Sequence, residues 1–289
     1  GHGPSYEEQW AYFRDERHAH PESLGQLNAT SVQQMLRRLD KSYRAFFRRV
    51  QAGETPGAPR FKGAHRFHSL EYRYGDGCKL RANDETGRVR FYVQNVGEIK
   101  LQFHRDLPDE AQIKHVVLKR SLGRWYVCLM WEAPDPPAPP VHAGSAVGID
   151  VGLVSLLALS DGELVENPRW LKHALPKLRV AQRRVARRQK GSQGWRDACR
   201  QVAALHARIA NARRDFYHKL SRRVARRYGL IALEDLSLAF MLQNPHLARS
   251  AHDAALGEFR ELLAYKAEEA GARVVLVPPK DTSQVCSGC

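Results

Sequence analysis

Five of the seven residues from Pro134 to Pro140 are proline, and this run limits the fold more than any other stretch of the chain. Proline has no amide hydrogen and holds φ near −65°, so neither a helix nor a central strand can pass through such a run. A chain of 289 residues is long enough for two domains of ~100–200 residues each. Residues 134–144 therefore read as a stiff linker between a first domain over 1–133 and a second over 145–280. The two sides have different hydrophobic periods, and each is read separately.

On the first side, Val32, Met35, Leu36, Leu39, Tyr43, Phe46, Phe47 and Val50 recur at intervals of three and four residues. That spacing predicts a helix over Ser31–Val50 with one apolar stripe, capped by Asn28 or Thr30 and ended by Gly53–Pro59. Arg37, Arg38, Arg44, Arg48 and Arg49 run beside the stripe, as a nucleic-acid surface or as a solvated flank. The pattern then changes to alternation over Leu70–Tyr74, Val89–Val93, Ile99–Phe103, Ile113–Lys119 and Trp125–Trp131. The last two read as a hairpin across Ser121-Leu122-Gly123. This side is predicted to be a small antiparallel β-barrel carrying a helical insertion over about 5–55.

Beyond the linker come two short apolar strands, Ala146–Val151 and Leu153–Leu159, and a turn at Ser160-Asp161-Gly162 into a third. Helical stretches follow over Pro176–Gln189 and Trp195–Tyr228, then a strand at Leu230–Leu233, a helix over Asp253–Ala270 and a strand at Arg273–Val277. The order βββ, α, β, α, β is that of an RNase H-like α/β fold with its first helical region enlarged into a hairpin over about 170–228.

The charge sits in that hairpin. The chain carries +15, and Arg169–Arg227 holds 19 Lys and Arg against two acids, Asp197 and Asp215. The segment's surplus of 17 leaves the rest of the chain at −2. Like charges this dense repel one another at helical spacing unless a polyanion neutralises them, so a nucleic-acid partner is expected. The contacts are assigned to Arg179, Arg183, Arg184, Arg187, Arg188, Lys190, Arg213, Arg214, Lys219, Arg222 and Arg223. A solvated basic face is the plainer alternative. No run of ~18 apolar residues spans a bilayer, and the opening Gly1-His2-Gly3-Pro4 is neither a signal peptide nor a methionine start. Five cysteines with one telling spacing point to a reducing, intracellular setting, read as cytoplasmic.

Two acids carry the expected chemistry. Asp150 ends the strand Val147-Gly148-Ile149-Asp150, and Glu234 ends Leu230-Ile231-Ala232-Leu233-Glu234. In an RNase H-like sheet these strands are neighbours, so the carboxylates converge. Oxygen-only ligands suit Mg²⁺ or Mn²⁺, and paired ions can activate water and stabilise the leaving oxygen of a phosphodiester. Either acid alone could be an ordinary strand-end residue. Alternation turns Asp235 to the other face, free to cap the next helix. Asp161 reads as turn chemistry, and Asp197, Asp215 and Asp253 as surface residues of helices. Cys286-Ser287-Gly288-Cys289 reads as the first half of a zinc ribbon over 281–289, a redox pair being the alternative.

The second half resembles the TnpB family, transposon-encoded relatives of the type V CRISPR nucleases. The likeness is carried by Val147–Gly152, Glu166-Asn167-Pro168, Asp215-Phe216-Tyr217-His218-Lys219-Leu220-Ser221, Glu234-Asp235-Leu236 and Thr282–Cys289. In the first half Leu27-Asn28-Ala29-Thr30, Pro59-Arg60-Phe61-Lys62-Gly63 and Trp125-Tyr126-Val127 also match. The resemblance implies an RNA-guided DNA endonuclease that takes a transposon-end transcript as guide and checks a short motif beside its double-stranded target. It gives Asp150 and Glu234 the first two acidic positions of a RuvC-type site. It makes the first half a wedge barrel whose helical insertion senses guide and target. It also places a third catalytic aspartate past Cys289 and an opening strand before Gly1. The chain then reads as a stretch of a longer protein or as a truncated copy, expected to bind guide RNA and to cut slowly. Two other classes stay open: a guided DNA-binding regulator without cleavage, and a metal-dependent transposase or resolvase that needs no RNA.

Overall fold

A computed structural model describes residues 3–63, 66–82, 88–104, 106–134, 144–235 and 248–278. The chain divides into two compact units, 1–135 and 136–289.

The first unit opens with α1 (Tyr6–Ala19), started by a capping box between Ser5 and Glu8. None of its residues is buried, and Tyr6, Trp10 and Phe13, at helical spacing, are only half-buried among charged neighbours. α2 (Ala29–Gln51) follows, with the Asn28 side chain accepting from the Ser31 amide. Gly53, at φ 72, turns the chain out of α2 in the left-handed conformation that glycine adopts without strain. The Asn28 amide also donates to Gln94 at 2.6 Å, tying the start of α2 to the turn after β3. A Cβ on Gly77, itself at φ 80, would overlap that same Asn28 amide.

The strands are β1 (Ser69–Arg73), β2 (Cys78–Ala82), β3 (Val89–Val93), β4 (Gly97–Lys100), β5 (Gln112–Ser121) and β6 (Arg124–Glu132). They form two antiparallel three-stranded sheets, ordered β1-β5-β6 and β2-β3-β4. Among the described residues neither sheet closes into the expected barrel. Among the described residues no ladder joins one sheet to the other, because Gly75 and Gly77, both at positive φ, carry the chain from the first sheet into a separate second one. The two sheets share one core of Tyr72, Cys78, Phe91, Val93, Val116 and Leu118. Leu122 and Gly123, at φ 50 and 79, make the two-residue turn of the β5–β6 hairpin. Most of the expected 134–144 linker lies outside the described residues.

The second unit contains β7 (Ala146–Val151), β8 (Ser155–Leu159), β9 (Leu164–Glu166), α3 (Trp170–Ala186), α4 (Gln193–Arg227), β10 (Leu230–Glu234), α5 (Ala248–Ala254), α6 (Leu256–Glu269) and β11 (Arg273–Val277). One five-stranded sheet is ordered β11-β10-β7-β8-β9. β10 lies parallel to both β7 and β11, while β7, β8 and β9 run antiparallel. This α/β arrangement is the RNase H-like order read from the sequence. Val147, Ile149, Ile231 and Leu233 turn one face of the sheet onto Tyr217, Leu220 and Val224 of α4 and onto Phe259, Leu263 and Ala267 of α6. Those helix positions recur at three and four residues, as one buried stripe requires.

α3 begins six residues before the expected Pro176, which lies inside the helix. Trp170 packs edge-on to Phe216 and Tyr217, with ring centroids 5.5 and 5.9 Å apart. That packing and the cap described below outweigh the helix bond that Pro176 forgoes. The single helix expected over Asp253–Ala270 is two, α5 and α6, because Ala255 takes φ 46 between them.

Candidate active site and nucleic-acid surface

β7 and β10 pair in register, Ala232 opposite Gly148 and Leu233 opposite Ile149. One residue further, Glu234 reaches the level of Asp150 on strands ~4.8 Å apart. Alternation puts both acids on the face turned away from the buried stripe, beyond the small residues Gly148 and Ala232. Asp150 is exposed and Glu234 half-buried. Burial therefore does not drive the expected need of Asp150 for a cation; the nearness of a second carboxylate does, since two like charges repel at this distance and a cation between them offsets the repulsion. The Asp150 side chain has no hydrogen-bond or ion-pair partner among the described residues. Gly152 ends this strand where a Cβ would lie 2.7 Å from the Ser155 carbonyl oxygen, so the turn that leaves Asp150 has no room for a side chain.

Glu234 lines a small hollow with Val151, Leu233, Leu256, Gly257, Phe259 and Arg260. The site thus lies at the carboxyl ends of the parallel strands and beside the start of α6, where ligands of open α/β sheets bind. Asp235 is engaged by Arg260 at 2.7 Å, and the residues it was expected to cap, from 236 onward, lie outside the described residues. Among the described residues, no group of three or more His, Cys, Asp or Glu could hold a metal ion. Two carboxylates offering hard oxygen donors fit Mg²⁺ or Mn²⁺ as a partial set. Cys286 and Cys289 lie outside the described residues.

Asp253 is no surface residue. It is buried, and its carboxylate accepts from the amides of Leu171 at 2.8 Å and Lys172 at 3.3 Å, capping α3 from 81 to 82 residues away. The Asp215–Ser221 motif also proves to be a packing seam. The Tyr217 hydroxyl donates to the Ala254 carbonyl, and burial holds it protonated far above the usual phenol range. Lys266 donates to the His218 carbonyl at 2.6 Å and to Ser221 Oγ at 2.9 Å; burial, then the Arg222 charge, holds its amine below the ordinary value. These bonds fix the α5–α6 elbow, and with it the start of α6 beside Glu234.

The basic residues fall into two sets. Arg213 and Arg214 hold Glu258 at 3.4 and 3.1 Å, Arg223 holds Glu163 at 2.7 Å, and Lys219 holds Asp215 at 2.7 Å. Arg213 is also only 19% exposed. These residues bind the fold's own carboxylates. By contrast Arg179, Arg183, Arg184, Arg187, Arg188 and Lys190 are exposed and have no carboxylate partner among the described residues. α4 is 35 residues long, about 52 Å, and its buried residues are Ala198 near the start and Tyr217 to Ala225 near the end. The α3 side of the hairpin's far part thus presents a cationic surface with no acid partner among the described residues, while at the start of α4 Arg200 pairs with Asp197. Asp161, as expected of a turn residue, accepts from the Glu163 amide, and it also pairs with Arg227.

The OrfB_IS605 transposase family matches residues 128–244, and the Cas12f1-like TNB domain matches 257–289. A Streptomyces pristinaespiralis protein named as an RNA-guided DNA endonuclease is 35% identical over 277 residues, covering 92% of this chain and 64% of the relative. InsQ of Escherichia coli (strain K12), named likewise, is 32% identical over 274 residues, covering 89% and 64%. By these matches the chain is similar to TnpB-family proteins. It spans just under two thirds of the length of these relatives. The fold is also that of a Cas12f1 chain solved with sgRNA and target DNA, at a TM-score of 0.51 and 14% identity over 98% of this chain and 72% of that one. No described helix is long and apolar enough to cross a membrane.

Proposed function

We propose that this chain supplies the nuclease core and a nucleic-acid-binding arm of an RNA-guided DNA endonuclease encoded by an insertion-sequence transposon. The reading rests above all on the register that sets Glu234 beside Asp150 at the open ends of two parallel strands. Asp150 and Glu234 are the residues that would hold Mg²⁺ or Mn²⁺. Such an ion, when bound, makes water a better nucleophile and offsets charge on the phosphodiester. The protein's own part is positional. Gly152 keeps the Asp150 turn tight, and the Arg213 and Arg214 clamp on Glu258 holds α6 against the site.

The unneutralised arginines of the hairpin, Arg183, Arg184, Arg187 and Arg188 foremost, bind backbone phosphates of guide RNA and target DNA. Sequence choice then falls to base pairing with the guide, and the protein reads shape, backbone and a short flanking motif. Cys286 and Cys289 supply half of a structural Zn²⁺ site, as the family resemblance implies. The names of the two relatives and the basic hairpin support this reading over an unguided transposase.

The test is a change of guide. The protein is purified with its RNA, the guide portion is replaced by an unrelated sequence, and cleavage of two plasmids is followed in Mg²⁺. Cutting that moves to the plasmid matching the new guide supports the proposal; cutting that ignores the guide supports the unguided class.

A further inference from the structure

The Glu166-Asn167-Pro168 motif has no part in the chemistry above, yet its side chain bridges two loops at the edge of the site. Asn167 Nδ2 donates to the carbonyl of Leu153 at 2.9 Å, and its Oδ1 accepts from the amide of Arg169 at 3.0 Å. Leu153 lies three residues past Asp150, in the turn that leaves the catalytic strand. Arg169 sits at φ 49, a left-handed conformation that costs a side-chain-bearing residue about 1 kcal/mol, and the Asn167 bond holds it there. Between the two loops lies a cleft of about 530 Å³, lined among others by Leu153, Asn167, Arg169, Lys172, Ser250 and Asp253.

The charge in this cleft is open. Arg169 and Lys172 are exposed and form no ion pair among the described residues. The one acid of its described lining, Asp253, is buried and directs its carboxylate to the amides of Leu171 and Lys172, so it ion-pairs with neither cation and leaves the two cations in excess. Val154, 81% exposed, forms an apolar wall with Leu153 and Leu175. Two cations, polar groups and an apolar wall match a nucleotide: phosphates on the cations, sugar and base against the wall.

We propose that this cleft is a phosphate subsite that holds a single DNA strand on its way to Asp150 and Glu234, with Arg169 and Lys172 as phosphate ligands and Asn167 as a positioning residue. The subsite deepens the nuclease reading and rests on it for the strand's destination, but its binding can be measured without cleavage. The probe is fluorescein-labelled dT12, titrated by anisotropy without divalent metal on this chain and on variants. Arg169→Gln with Lys172→Gln is expected to weaken binding about tenfold and to lower the salt slope by about 1.4, at ~0.7 per phosphate contact for a single strand. Lys177→Gln, one turn along the same helix and outside this cleft, removes a like charge and is expected to change affinity less than twofold. Asn167→Ala removes no charge; it is expected to weaken binding several-fold alone and to add little to the double variant.

Equal losses for Lys177→Gln and for the double variant would overturn the subsite, since a diffuse basic surface behaves that way. So would Asn167→Ala binding like the parent at an unchanged unfolding midpoint. The nuclease reading fails separately: these binding losses with no guide-directed cutting by the parent protein would leave the subsite standing and remove the reaction, whereas guided cutting with no binding losses would do the reverse.

Discussion

Replacing Asp253 with Ala removes the cap of α3 from 81 to 82 residues away and tests whether the α5–α6 elbow is held as described. Asp253 is 6% exposed and accepts two backbone amides, at 2.8 and 3.3 Å. Loss of a capping acceptor costs about 1 kcal/mol. Leaving a buried amide unsatisfied adds about 1–3 kcal/mol, and losing a negative charge at a helix start about 0.3–1 kcal/mol. These contributions overlap, so the expected destabilisation of the second unit is about 2–4 kcal/mol. Asp253→Asn keeps an acceptor and is expected to lose about 1 kcal/mol. The assay is urea unfolding followed by tryptophan fluorescence, with Trp170 beside the cap as reporter, read as a midpoint shift at unchanged slope. An Asp253→Ala protein within 0.5 kcal/mol of the parent would refute the cap as the tie between α3 and the elbow.

Ala255→Gly should stabilise the second unit by about 0.5–1 kcal/mol, because relief of left-handed strain exceeds the added freedom of the unfolded chain; a destabilised protein in the same unfolding assay would contradict that geometry. Burial, then the Asp76 charge, pushes the Cys78 thiol up to about 11, so with a thiol reagent at pH 8 the exposed Cys128 should react first and Cys78 only on unfolding. Since the folded value is the raised one, this stabilisation is whole below about pH 9, the ordinary thiol value, and is lost as pH climbs through about 11; a first unit more stable at pH 10.5 than at pH 8.5 would contradict it. Replacing Arg183, Arg184, Arg187 and Arg188 with Ala should lower the salt slope of RNA binding by about 3, at ~0.7–0.9 per phosphate contact. An unchanged slope in a folded protein would move the binding surface off the hairpin.

What the sequence made legible follows from where its signals are local. The strands of the second unit announce themselves by apolar runs ending in Asp150 and Glu234, and their order alone sets the two acids side by side. The cap at Asn28 is equally local. What stayed hidden depends on distant partners. Asp253 looks like any helix-surface acid until Leu171 and Lys172 are brought to it. Ala255 is the strongest of helix formers, so nothing local marks the break between α5 and α6. α1 buries no residue, its partly buried Tyr6, Trp10 and Phe13 sitting among charged neighbours, and Cys78–Ala82 alternates as a strand should but over only five residues behind a glycine-rich turn. The barrel failed because strand alternation specifies faces and leaves open which edges meet. Arg213, Arg214 and Arg223 read like the hairpin's other cations, and only their placement against Glu258 and Glu163 sets them apart.

The central claim is that Asp150 and Glu234 form one hydrolytic site, and guide-directed cleavage by single variants tests it most directly. Asp150→Ala and Glu234→Ala are each compared with the parent protein, all loaded with the same RNA, on matched DNA in Mg²⁺. Each variant should cut on the order of 10³-fold more slowly or worse, the loss of several kcal/mol of charge stabilisation, while RNA retention and target binding stay within twofold of the parent. Cleavage at the parent rate by either variant would contradict the account and take that carboxylate out of the site.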